Sequence, residues 1–159
     1  MLSVEQLGWD AQTVGEIDHR KLKAPHVKLR SVVAGENGDA VYSIDLRVNQ
    51  PNTSYLSTVE AHSFEHFLLA GFRKYLPKNF ICVAPMGCQT GFYLVLLNEG
   101  AAQKICDVYG KILTDVLNAT EVPYANVRDC GHFELHNLDL AKGVAQRLLD
   151  SKSSWRQIL

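Results

Sequence analysis

The stretch VEAHSFEHFLLAGF, residues 59–72, places His62 and His66 four positions apart on an apolar run, with Glu65 just before the second histidine. Upstream, Ser57-Thr58-Val59-Glu60 has the Ser-x-x-Glu pattern of a capping box, which opens a helix. Pro77 ends it. The histidine pair therefore sits on a helix, where residues four apart lie one turn above each other. His62 and His66 can then offer imidazole nitrogens to one metal ion. Glu65, three residues after His62, lies close to the same face, beside the metal without ligating it, and suits proton transfer to whatever the metal polarises. A single histidine here would read as an ordinary helix residue, whereas a pair with an acid at this spacing points to a metal.

The flanking segments supply a sheet for this helix. His26 to Val33 and Ala40 to Val48 are β-rich, and in the second Val41, Ser43, Asp45 and Arg47 alternate with Tyr42, Ile44, Leu46 and Val48. Gly35-Glu36-Asn37-Gly38-Asp39 joins them as a hairpin. Pro51-Asn52 closes the second strand. Asn79 to Ala84 and Gly91 to Asn98 read as two further strands around the turn Pro85-Met86-Gly87-Cys88. Ala101 to Ala119 carries Ile105, Val108, Ile112, Leu113, Val116 and Leu117 at helical spacing. Tyr124 to Phe133 reads as a weaker strand, and Leu138 to Leu149 as a third helix capped by Asn137 or Asp139. Hairpin connections without regular strand-helix alternation predict an α+β fold, a largely antiparallel sheet packed with helices.

Composition narrows the function classes. The chain has 159 residues and 47% hydrophobic content, enough for one core, so residues 1–159 are expected to form a single domain. A net charge of −1, with 16 Lys and Arg scattered among acids, leaves no basic track for nucleic acid. The longest apolar runs, such as Phe92 to Leu97, are too short to span a bilayer, and the N-terminus lacks a secretory pattern. A cytoplasmic location is expected. Cys82, Cys88, Cys106 and Cys130 are irregularly spaced and read as reduced thiols rather than a disulfide framework.

Two histidines do not hold a catalytic ion, so a third ligand is required. Cys130 is the strongest candidate, because a thiolate completes a three-ligand site that leaves one position open. His132, which in a strand would share a face with Cys130, and His136, ahead of the last helix, compete with it, and spacing does not decide among them. His-x-x-Glu-His also matches the inverted zinc-peptidase signature, a rival enzyme class. Those peptidases are much longer chains with a downstream glutamate ligand. In PMGCQTGFY, residues 85–93, Cys88 occupies a turn where Gly87 and Gly91 are expected to allow close backbone approach, which suits an exposed, reactive thiol.

Five blocks together resemble the S-ribosylhomocysteine lyase (LuxS) family: DHRKLKAPHVKL (18–29), DLRVNQPN (45–52), AHSFEHFLLAGFRKYL (61–76), PMGCQTGFYLVLL (85–97) and DCGHFELHNLDLAKGVA (129–145). They occur in the family's order and cover nearly the whole chain. The resemblance implies a homodimeric α+β fold with active sites shared between subunits. It implies a divalent metal, Fe(II) in the native state and often Zn(II) as isolated. Position by position, it makes His62, His66 and Cys130 the metal ligands and Glu65 and Cys88 the acid/base pair. His19 and Arg47 correspond to residues at the sugar end of the pocket and Arg73 to one near the amino-acid end. The implied reaction cleaves S-ribosylhomocysteine to homocysteine and dihydroxypentanedione by carbonyl migration and β-elimination. It recycles a by-product of the methyl cycle and supplies the autoinducer precursor used in quorum sensing. Two departures fall on substrate recognition: Val14-Gly15 stands where the family carries Ser-Phe, and Cys82 where it carries an acid. A divergent relative acting on another thioether sugar is the alternative expectation.

Overall fold

The computed structural model describes residues 3–159. Four strands, β1 (His26–Ala34), β2 (Ala40–Arg47), β3 (Phe80–Pro85) and β4 (Gly91–Leu97), form one sheet in the order β1-β2-β4-β3. Every neighbouring pair is antiparallel. Three helices accompany it: α1 (Thr58–Tyr75), α2 (Ala102–Asn118) and α3 (Leu138–Asp150). The expected α+β architecture is present, with strand and helix ends within one residue of the sequence reading except at α1, which stops two residues short of Pro77. No helix among the described residues is long and apolar enough to cross a membrane.

Local chemistry fixes α1. The Ser57 hydroxyl accepts from the Glu60 backbone N–H, and the Glu60 carboxylate accepts from the Ser57 N–H, the reciprocal capping box that the sequence predicts. Phe64, Leu68 and Phe72 project from α1 into the core, where each is fully buried. Phe64 meets Phe92 of β4 with ring centroids 5.5 Å apart. Burying one such ring contributes about 2–3 kcal/mol, which anchors the helix on the sheet. Gly71 lets α2 approach closely, since a methyl there would run into the Ile112 side chain.

The sheet buries both faces of β2 near its end. Ile44 and Leu46 face the apolar core, while the alternate residues Asp45 and Arg47 are buried on the opposite face. Gly15–Leu22 covers part of that face, and Lys28 Nζ donates to the Gly15 carbonyl at 2.5 Å. Gly91 pairs with Arg47, and a Cβ on Gly91 would strike the Leu46 carbonyl and the Arg47 Cα, both backbone atoms that cannot rotate aside. Gly91→Ala is expected to lower stability by about 1–3 kcal/mol, read as a lower denaturant midpoint. Gly87 differs: it has open space around its Cα, so the close approach expected of it is not made within this chain.

One predicted element is absent. Residues 124–133 form successive turns rather than a strand. The Asn126 side-chain oxygen accepts from the backbone N–H groups of Arg128 and Asp129, and the Cys130 N–H donates to the Asn126 carbonyl. This Asx turn coils the chain locally and leaves no extended backbone to pair. His132 and Cys130 therefore do not share a strand face.

Candidate active site

The Asx turn carries Cys130 to the His62–His66 face of α1. The ligand atoms of His62, His66, Cys130 and His136 all lie within 4.8 Å of one another, an arrangement that could hold a metal ion. Cys130 Sγ is 3.4 Å from His62 Nε2 and 3.6 Å from His136 Nε2. Sulfur and nitrogen at two corners of a tetrahedral zinc site stand about 3.6 Å apart, given bonds near 2.3 and 2.1 Å. The donor set therefore fits a divalent ion in both chemistry and spacing.

Backbone carbonyls set the tautomers of the two helix histidines. His62 Nδ1 lies 2.9 Å from the Leu135 carbonyl, and His66 Nδ1 lies 2.7 Å from that of Pro123. A carbonyl only accepts, so each Nδ1 carries the proton and each Nε2 turns its lone pair toward the cluster. His136 has no such support, for its Nδ1 is buried without a hydrogen-bond partner. Burial, with the His62, His66 and His132 rings nearby, pushes His136 down to about 4, so it is neutral near pH 7.

His136 reaches the cluster because α3 docks on α1. The buried Ser63 hydroxyl accepts from the Asn137 N–H at 2.9 Å, and Asn137 in turn caps α3 by accepting from the Leu140 N–H. His136 is thus brought over the His62 ring, with centroids 4.0 Å apart. Spacing leaves His136 as one competitor for the third ligand position, and the docking of the cap puts it among the donors. His132 is exposed, and its part in the site is a backbone N–H donated to Cys130 Sγ at 3.4 Å.

Glu65 stands between two openings. One cavity of about 410 Å³ is lined by Glu65 with His62, His66, Cys130, Arg73 and Tyr124, and Arg73 lies over the Tyr124 ring. A second, of about 290 Å³, is lined by Glu65 and His62 together with Met86, Gly87 and Gln89 of the Cys88 turn. Burial raises Glu65 above the usual carboxylate range, and the neighbouring His66, His62 and Arg73 only partly offset it. Its Oε2 is 3.8 Å from His66 Nε2.

Cys88 is exposed at the tip of the turn before β4, where Gln89 takes a positive φ of 59°. Its Sγ lies 3.0 Å from Thr90 Oγ1 and 3.8 Å from Arg47 Nη1. Burial acts to raise the thiol, but the Thr90 hydroxyl and backbone, followed by Arg47, outweigh it and leave Cys88 below the ordinary thiol value. His19 is exposed and shares a small cavity with Arg47, Lys28 and Asp45. Cys82 is exposed on β3 opposite Val95 and lines neither opening beside Glu65.

The zinc-peptidase alternative calls for a downstream glutamate ligand, and the cluster holds only histidines and a cysteine. Comparison with known proteins gives the same answer. The family model for S-Ribosylhomocysteinase (LuxS) matches residues 14–158. The S-ribosylhomocysteine lyase of Halobacillus halophilus is 41% identical over 142 residues, covering 89% of this chain and 93% of that protein. That of Chromohalobacter salexigens is 39% identical, covering 89% and 91%. A Staphylococcus aureus S-ribosylhomocysteine lyase is 38% identical, covering 89% and 90%. The fold, the donor cluster and these matches agree: the chain belongs to the S-ribosylhomocysteinase (LuxS) family.

Proposed function

We propose that this carbon–sulfur lyase cleaves S-ribosylhomocysteine to homocysteine and dihydroxypentanedione, using a metal held by His62, His66 and Cys130 and an acid/base pair of Glu65 and Cys88. Its main support is the position of Glu65, on the wall of both the opening at the donor cluster and the opening at the Cys88 turn. His136 is assigned as a neutral neighbour rather than a ligand, because four protein donors would close a tetrahedral site and its Nδ1 lacks the carbonyl partner that the other two rings have. Fe(II) is the proposed native ion and Zn(II) an alternative occupant, since mixed imidazole and thiolate donors suit both.

The bound metal would act as a Lewis acid toward the sugar carbonyl and so acidify the adjacent carbon. Cys88, as thiolate, takes the proton from that carbon and returns it to the former carbonyl carbon, while the proton of the neighbouring hydroxyl passes to the former carbonyl oxygen, so that the carbonyl moves one carbon along the ribose. Glu65 carries the later protons. Burial raises its affinity for a proton above that of a free carboxylate, which suits a group that both takes up and gives back protons during the reaction. In the last step Glu65 removes the proton on the carbon between the migrated carbonyl and the C–S bond. The electron pair forms the carbon–carbon double bond, and homocysteine leaves as thiolate. Arg73 can clamp the substrate carboxylate through two parallel hydrogen bonds, while His19 and Arg47 serve the sugar end. Cys82, outside both openings within one chain, is proposed to reach the amino-acid end in the paired molecule.

The chain is further proposed to act as one cytoplasmic domain paired in a homodimer with shared active sites. Exposed Tyr124, Val127 and Phe133, on the segment that brings Cys130 to the cluster, offer apolar surface for a second copy. The test is thiol release from S-ribosylhomocysteine by protein purified and assayed without oxygen. One homocysteine per substrate consumed is expected. Fully metallated protein that releases no thiol would overturn the substrate assignment, and release from another thioether sugar instead would identify a divergent relative, the departures at Val14, Gly15 and Cys82 being the first positions to exchange.

A further inference from the structure

The sheet face opposite the apolar core buries charge in register. His26 and Lys28 on β1 stand across from Arg47 and Asp45 on β2, and each is at most 3% exposed. Asp45 Oδ2 lies 3.4 Å from Lys28 Nζ and 3.8 Å from Arg47 Nη2, and Arg30 Nη1 is 3.9 Å from Oδ1. Such a cluster is a poor source of stability, because the cost of desolvating the ions rivals their attraction. The arrangement continues toward the reactive thiol. Arg47 Nη1 donates to Thr90 Oγ1 at 2.5 Å, and Thr90 Oγ1 is 3.0 Å from Cys88 Sγ.

Donor chemistry gives this chain of contacts a direction. A guanidinium has no acceptor, so the Thr90 oxygen must accept from Arg47, which leaves the hydroxyl proton for the sulfur. Thr90 is itself only 1% exposed, so water does not compete freely for that proton. We propose that Thr90 and Asp45 are positioning residues for Cys88: Asp45 holds the Arg47 guanidinium in place, and Arg47 orients the Thr90 hydroxyl as a hydrogen-bond donor to the Cys88 sulfur. The assignment rests on Cys88 being a proton carrier in the lyase reaction. In support, the Thr90 hydroxyl and backbone precede Arg47 among the influences that lower the thiol against burial. Other ionisable groups around the turn are Glu65 and His62, which line the opening with Gly87 and Gln89. Beside Arg47 stand His19, Glu16, Lys28, Arg30 and Asp45, with His26 across the strand.

The test is the pH dependence of Cys88 alkylation by iodoacetamide, followed by mass spectrometry of the Cys88 peptide from intact protein without substrate. Thr90→Val keeps the volume and removes the hydroxyl, so its midpoint is expected to rise by roughly one pH unit. Alkylation on the acid side of both midpoints then slows about tenfold. Thr90→Ser restores the donor and should return the midpoint to that of the wild type. Asp45→Asn separates positioning from simple charge. Removing an anion next to cations would by itself lower the thiol midpoint, whereas loosening Arg47 raises it, and a rise is expected. An unchanged midpoint in Thr90→Val overturns the Thr90 role, and a fall in a folded Asp45→Asn overturns that of Asp45. If Asp45→Asn does not fold, the Thr90 pair still decides whether the sulfur is held from that side. The readout needs no turnover, so a chain inactive on S-ribosylhomocysteine but showing these shifts would lose its substrate assignment and keep the positioning.

Discussion

Glu65→Gln is expected to retain the metal and the fold while turnover of S-ribosylhomocysteine falls by about 10²–10⁴-fold, the range over which a positioned general acid/base contributes. The substitution preserves shape and removes only the ability to exchange a proton. Glu65 is half-buried and makes no hydrogen bond that anchors α1, whose start is held by Ser57 and Glu60. A structural defect should therefore be small, and the loss should appear in kcat rather than KM. Cys88 acts on the first proton and is unaffected by the change. Exchange of the substrate's acidified C–H with deuterated solvent is then expected to continue after thiol release has stopped. Wild-type rates of thiol release with full metal content would remove Glu65 from the reaction.

How much of this was legible in the sequence depends on how local each cause is. The α1 boundaries follow from a capping box and a proline within a few residues of the helix, and the strands from alternation, so both were readable. His62 and His66 share a helix, and their proximity needed only the helical repeat. In the 124–133 segment residue type and turn chemistry point in different directions: Tyr124, Val127 and Phe133 suggest a strand, but the Asn126 side chain satisfies backbone donors that a strand would send to a neighbour. The proximity of His136 to the cluster has a non-local cause. Its place beside His62 depends on Asn137 meeting Ser63, a contact between residues 74 positions apart that no local pattern encodes. Thr90, two residues after Cys88, carries no signal in the sequence that sets it apart. Its importance appears only when β2 lies beside β4 and brings Arg47 to it.

Cys130→Ala is expected to lose the metal. His62 and His66 are pre-oriented by carbonyls, so removing the thiolate leaves two imidazoles in place and a third position vacant. Two neutral nitrogens cannot compensate a divalent charge as a thiolate does, and a site with three protein ligands depends on each of them. Metal content is expected to fall from about one ion per chain to below roughly a tenth after dialysis, measured by elemental analysis. Because ion binding is linked to folding, added metal should raise the melting temperature of the wild type freed of metal but not that of Cys130→Ala. His136→Gln provides the contrast. If His136 is a neighbour, this variant keeps nearly full metal, since the three remaining donors are untouched and the His136 Nδ1 lacks the carbonyl partner that fixes the other two rings. If His136→Gln loses the ion while Cys130→Ala retains it, the third ligand is His136, and the thiol becomes the neighbour.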